Sequence, residues 1–118
     1  MALHNELGKE GEKMAIQWLK ERGYEILHIN WRYSYYEIDI VAKKNEKLHF
    51  VEVKARQNDK FGNPEDSVTK RKFKRLQQAA DQFLFLYPGH KWIQYDVLAI
   101  TFNKGGETEY FLLEDVFL

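Results

Sequence analysis

The chain has 118 residues, 18 basic and 18 acidic side chains and no cysteine. That bounds it to one domain, residues 1–118, with a modest core, and excludes a disulfide scaffold or a thiolate metal site. With 44% hydrophobic and 31% charged residues the composition is globular, and no apolar run approaches the roughly 18 residues that a membrane span needs. Zero net charge argues against a protein that holds nucleic acid by bulk positive charge, while leaving room for a local basic face. The opening residues lack the basic-then-apolar order of a signal peptide, so the expected location is cytoplasmic.

In chain order, residues 5–23 read as a first helix. Glu6, Glu10 and Glu12 favour its first turns through the helix dipole, and Gly23 ends it. Ala15, Ile16, Leu19 and Trp18 define its apolar stripe. Glu12 projects toward the same side, as a site residue or as a dipole partner at the solvent edge. Gly8 and Gly11 weaken the helix unless they allow the close approach of a strand or ligand. Tyr24 to Trp31 reads as a first strand whose alternation is imperfect. Arg32 to Tyr36 is then a connection, with tyrosines that either cover a sheet edge or stack on bases.

The next stretch, Glu37 to Lys54, organises the chain. Two strand-like runs flank a polar connection, Lys44-Asn45-Glu46-Lys47, which signals a hairpin. A two-residue Asn45-Glu46 loop pairs Lys44 with Lys47, Val41 with Phe50, Asp39 with Glu52 and Glu37 with Lys54. Opposed residues share one face, so two acids and a lysine come together. Ile38, Ile40, Ala42, Val51 and Val53 fall on the other face as core. Residues 56–66 carry loop signals. A second helix follows from Val68 to Tyr87, capped by Asp66 or Ser67, with Phe73, Leu76, Ala80 and Phe83 on its apolar face. Lys70, Arg71, Lys72, Lys74 and Arg75 crowd its first turns, where cations oppose the dipole. They suit phosphates better than helix stability. Arg32 and Arg56 are further candidate nucleic-acid contacts. Trp92 to Phe102 is a long strand broken by Asp96, and Glu109 to Leu113 is the last. The element order is α-β-β-β-α-β-β, a mixed sheet of about five strands with flanking helices.

Facing Asp and Glu side chains are hard oxygen ligands suited to Mg²⁺ or Mn²⁺. The Val53 carbonyl offers a further oxygen, and Lys54 reaches the same face to orient a water. Zinc is disfavoured, because the four histidines are scattered and no cysteine exists. The competing structural reading is a buried ion-pair cluster of Glu37, Asp39, Glu52 and Lys54.

Asp39, twelve intervening residues and then Glu52-Val53-Lys54 resembles the split D…(D/E)-x-K signature of the restriction-endonuclease-like superfamily. Glu12 matches the extra helical acid of Holliday-junction resolvases. Over most of the chain the sequence is similar to the YraN-type family of small, uncharacterised bacterial proteins. The residues that carry this likeness include Gly8-x-x-Gly11-Glu12, Asn30-Trp31-Arg32, Glu37-Ile38-Asp39-Ile40, Phe50-Val51-Glu52-Val53-Lys54-x-Arg56, Phe61-Gly62-x-Pro64 and Arg75-Leu76.

The resemblance implies a three-layer α/β/α fold and a Mg²⁺-dependent phosphodiesterase site with a nucleic-acid substrate, here taken as DNA. Glu12, Asp39 and Glu52 would be metal ligands and Lys54 the catalytic lysine, with Glu37 and Asp96 as accessory acids. Two departures from the family bear on the site. Tyr36 replaces a usual Gly and would narrow the cleft, and Gln94 replaces a usual Arg and would weaken a phosphate contact. A homodimer or a protein partner would supply missing positive surface. A non-catalytic nucleic-acid-binding module with a vestigial site is the main rival, and a pure protein-interaction domain is the third reading.

Overall fold

The computed structural model describes residues 2–57, 69–103 and 105–116, with side chains from Gly8 onward. Seven elements follow one another: α1 (Ala2–Glu21), β1 (Glu25–Tyr33), β2 (Tyr36–Lys44), β3 (Lys47–Gln57), α2 (Lys70–Leu86), β4 (Ile93–Phe102) and β5 (Thr108–Leu113). The strands form one sheet in the order β1-β2-β3-β4-β5. All neighbours are antiparallel except β3 and β4. A parallel pair needs a crossover, and α2 lies within the one that joins β3 to β4.

The two helices cover opposite faces. Ala15 and Leu19 of α1 pack on Ile40, Ala42, Val51, Leu98 and Ile100. Leu76, Ala79, Ala80 and Phe83 of α2 pack on Val41, Leu48 and Phe50. The result is the expected α/β/α sandwich with a five-stranded mixed sheet. Alternation along β3 sends Leu48 and Phe50 toward α2, and Val51 and Val53 toward α1. Glu52 and Lys54 therefore fall on the α2 face.

Backbone details differ from the sequence expectation in several places. Helix α1 starts earlier than residue 5, so no acid lies in its first turn and the dipole argument for Glu6, Glu10 and Glu12 lapses. Its end is as expected. The Gly23 and Tyr24 N–H groups donate to the carbonyls of Lys20 and Leu19, both at 3.0 Å, and Gly23 has φ +89°. This is a Schellman ending. Gly11 brings α1 onto β3, because a Cβ there would stand 2.7 Å from the Ala55 Cβ.

The imperfect alternation of β1 is a bulge between Ile26 and His28. The stretch 32–36 is a tight hairpin turn in which Tyr33 pairs with Tyr36 and Ser34 takes φ 57°. At the next turn Asn45 and Glu46 both have positive φ, as a type I′ hairpin requires. Thr69, rather than Asp66 or Ser67, caps α2. Its Oγ1 accepts from the Lys72 N–H at 3.2 Å, while the expected caps and the loop at 58–66 lie outside the described residues.

Candidate active site

The β2–β3 register follows the expected pairing from Lys44↔Lys47 to Ile40↔Val51 and stops there. Asp39 is the cause: its Oδ2 accepts the Val53 N–H at 2.8 Å, so a side chain takes the place of a cross-strand carbonyl. Beyond this point the strands part. Asp39 with Glu52, and Glu37 with Lys54, are consequently not ladder pairs. Ile38 is displaced too, packing with the α2-side core rather than beside Ile40 and Ala42. Both Val53 backbone groups leave the strand toward β2, since one extended residue directs N–H and C=O to the same neighbour.

The fork opens into a cleft of about 540 Å³ under the first turns of α2. Glu37, Asp39, Glu52 and Lys54 line its floor, Lys72, Arg75 and Gln78 line the helix side, and Tyr35 and Tyr36 stand at the hairpin side. Glu37 and Asp39 of β2 thus meet Glu52 and Lys54 of β3 in one cleft. The basic helix divides. Lys72 and Arg75 face the cleft, whereas Lys70, Arg71 and Lys74 are exposed and do not line it.

Acids and cations share the lining of this cleft. Among the described residues neither Asp39 nor Glu52 forms an ion pair with Lys54, so the buried ion-pair cluster is not what these side chains make. Asp39 is pushed up from 3.8 to about 6. Burial is the main cause; the Val53 N–H opposes it, and the charges of Glu52, Glu12 and Glu37 add to it. On the helix side the Lys72 amine lies against the Lys54 amine. That contact, then burial and the like charge, hold Lys72 below the ordinary lysine range, while Glu52 acts the other way.

The remaining candidates are distributed around this centre. Glu12 is half-buried, near enough for its charge to act on Asp39, and its Oε2 accepts from Asn30 Nδ2 at 3.1 Å. Asn30 has φ 50°, a conformation in which Asn is favoured. Sequence reasoning assigned it no role, although it stands in the matching Asn30-Trp31-Arg32 run. Arg32 pairs with Glu37 at 3.4 Å on the surface, and Arg56 Nε donates to Thr101 Oγ1 at 3.2 Å. Gln78 was not singled out, although its spacing of three from Arg75 and six from Lys72 places all three on one helix face.

Two residues leave the site altogether. Asp96 is completely buried on the opposite side. Its carboxyl group accepts from His49 Nδ1 at 2.7 Å, Gln94 Nε2 at 3.0 Å and the Asp115 N–H at 3.0 Å. It is a structural tie between β3, β4 and the segment after β5, not an accessory acid of the cleft. Gln94 is committed to that tie, so it makes no phosphate contact for the cleft to lose.

Among the described residues no three His, Asp or Glu side chains converge into a set able to hold an ion unaided. The available donors are Asp39, Glu52 and the Val53 carbonyl. They are all hard oxygens, and they fit a cation such as Mg²⁺ that keeps several waters of its own.

Fold and cleft together define a class: a three-layer α/β/α protein with paired carboxylates and lysines where a hairpin forks beneath a helix. The model of the uncharacterised protein family UPF0102 matches residues 11–100, and the chain belongs to that family. It is 44% identical over 105 residues to a UPF0102 protein of Bacteroides thetaiotaomicron, covering 89% of this chain and 87% of that one. It is 41% identical over 106 residues to one from Christiangramia forsetii (90% and 89%). A third, from Thermodesulfovibrio yellowstonii, is 43% identical over 99 residues (84% and 88%). No described helix is long and apolar enough to cross a membrane.

Proposed function

We propose that the chain is a restriction-endonuclease-like hydrolase that cleaves phosphodiester bonds in DNA, with Mg²⁺ or Mn²⁺ as cofactor. The observation that carries this reading is the convergence of Asp39, Glu52 and Lys54 on one cleft floor, with the acids free of ion pairs to the lysine.

Asp39, Glu52 and the Val53 carbonyl would hold the cation, which when bound supplies charge neutralisation at the phosphate and a more acidic water. The protein's own part is positional. The Val53 N–H fixes one Asp39 oxygen and so orients the carboxylate. Lys54 holds the attacking water by hydrogen bonding and stabilises charge that develops on the phosphate oxygens. Lys72 and Arg75 face the same space and suit the flanking phosphates, while Lys70, Arg71 and Lys74 extend a basic face along the same turns. Glu12, held by Asn30, biases Asp39 through its charge.

The test is cleavage of labelled junction, flap and single-stranded DNA with Mn²⁺, comparing the wild type with Lys54→Ala. Cutting by the wild type that falls at least 100-fold in the variant is expected. Retained cutting in Lys54→Ala would remove the lysine from the mechanism. Binding without cutting in both proteins would favour a second reading, a nucleic-acid-binding module with a vestigial site. The engagement of Glu12 by Asn30, which leaves Asp39 and Glu52 as two of the three expected metal-ligand acids on the cleft lining, supports that alternative.

A further inference from the structure

The hairpin between β1 and β2 ends in a feature that stability does not explain. Tyr35 is 99% exposed, at the second position of a two-residue turn. Among the described residues its ring meets no other aromatic group. Tyr33, two residues earlier, is instead stacked on Trp31 with ring centroids 6.3 Å apart, and Trp31 is braced by Phe83 at 5.3 Å. The sequence left two roles open for these tyrosines, covering a sheet edge or stacking on bases. Tyr35 covers nothing. Its position is nevertheless well defined, because the Tyr33↔Tyr36 pair closes the turn directly beneath it and the hairpin is rooted in the core through Trp31 and Ile38.

Tyr35 also stands at the mouth of the cleft, across from Lys72 and Arg75. A cleft of about 540 Å³ lies in the range that takes a small-molecule-sized group, which is the scale of one nucleotide rather than of a duplex. An aromatic face beside cations is the combination that single-stranded nucleic acid uses, with bases stacking on rings while the backbone follows positive charge. A duplex offers such a ring nothing to stack on, because only base edges are accessible in its grooves. A base must be unpaired, flipped or terminal to present its face.

We infer that Tyr35 is a stacking platform for an unpaired base next to the scissile phosphate, so that the substrate class is DNA with single-stranded or splayed nucleotides. The inference rests on the phosphodiesterase reading above and specifies which substrate that site takes. In this arrangement the phosphate lies over Asp39, Glu52 and Lys54, the adjoining backbone follows Lys72 and Arg75, and the neighbouring base turns toward the hairpin tip.

The experiment compares wild type, Tyr35→Ala and Tyr35→Phe in binding fluorescent DNA with Ca²⁺ in place of Mn²⁺. Two probes share one sequence, a flap carrying unpaired nucleotides and its fully paired duplex. Stacking of this kind corresponds to about 5- to 140-fold weaker flap binding in Tyr35→Ala. Tyr35→Phe is expected to match the wild type, and all three to bind the duplex equally. An equal loss on both probes, or an unchanged flap affinity in Tyr35→Ala, overturns the inference while wild-type cleavage leaves the parent reading standing. If the wild type neither binds nor cuts either probe, both fail together. Because the side chain is fully exposed at a turn, none of the variants perturbs the core.

Discussion

Replacing Asp39 by Asn removes a charge that the folded chain holds at a cost, and the cost has a sign and a pH window. The Asp39 pKa is raised from 3.8 to about 6, first by burial and then by the acids around it. Below about pH 3 the carboxyl group is protonated in folded and unfolded chains alike, and no penalty exists. Between about pH 4 and 6 the folded state binds more protons, so stability falls as pH rises. Above about pH 7 the penalty is complete. A shift of about two units corresponds to roughly 3 kcal/mol. Partial exposure lets solvent screen it, which leaves about 1–2 kcal/mol. Asn retains an oxygen for the Val53 N–H, so geometry is preserved while charge is lost.

Urea denaturation in metal-free, EDTA-containing buffer from pH 4 to 8 measures this directly. Asp39→Asn is expected to be more stable than the wild type by about 1–2 kcal/mol at pH 7.5, with most of the difference lost by about pH 4. A difference that does not vary with pH, or a wild type that is the more stable at pH 7.5, would refute the reasoning. Saturating Mg²⁺ should then reverse the order above pH 6, because a ligand at 100 times its Kd adds about 2.7 kcal/mol to the form that binds it.

Two further predictions concern the frame that holds the site. Gly8 and Gly11 lie one helical turn apart yet should respond with opposite signs to Ala. A Cβ at Gly8 meets nothing within 4 Å, so helix propensity gives a gain of up to about 1 kcal/mol. At Gly11 the clash with Ala55 should cost about 1–3 kcal/mol, and Ala55→Gly in the same chain should recover part of it in a double-mutant cycle. Thermal melts in which both glycine variants stabilise would contradict the packing. Asp96→Ala should lower stability by about 3 kcal/mol or more, since His49, Gln94 and the Asp115 N–H lose a buried acceptor together. A loss below about 1 kcal/mol would show that water replaces it.

How much of this could be read in the chain alone depends on the range over which each feature is determined. Element order, the Asn45-Glu46 turn and the pairing up to Ile40↔Val51 follow from local pattern, because alternation and turn chemistry are written within a few residues. The Gly23 helix ending is equally local. The composition of the site was legible too, because Asp39, Glu52 and Lys54 are polar at positions where a central strand is expected to be apolar.

The tertiary structure decided what those residues face. The ladder ends because the Asp39 side chain competes with the backbone for Val53, and that outcome depends on two strands, not one. Asp96 looked like a site acid for the same reason as Asp39, an acid within an apolar strand. Only the packed sheet shows that it turns instead toward His49 and Gln94. The five cations of α2 are alike in sequence, but helix rotation against the sheet admits Lys72 and Arg75 to the cleft and leaves the others outside. Tyr35 is the converse case, since nothing in its own neighbourhood distinguishes it from Tyr33 or Tyr36. Local pattern specifies which residues carry polarity, whereas direction, burial and partner arise only when distant segments pack.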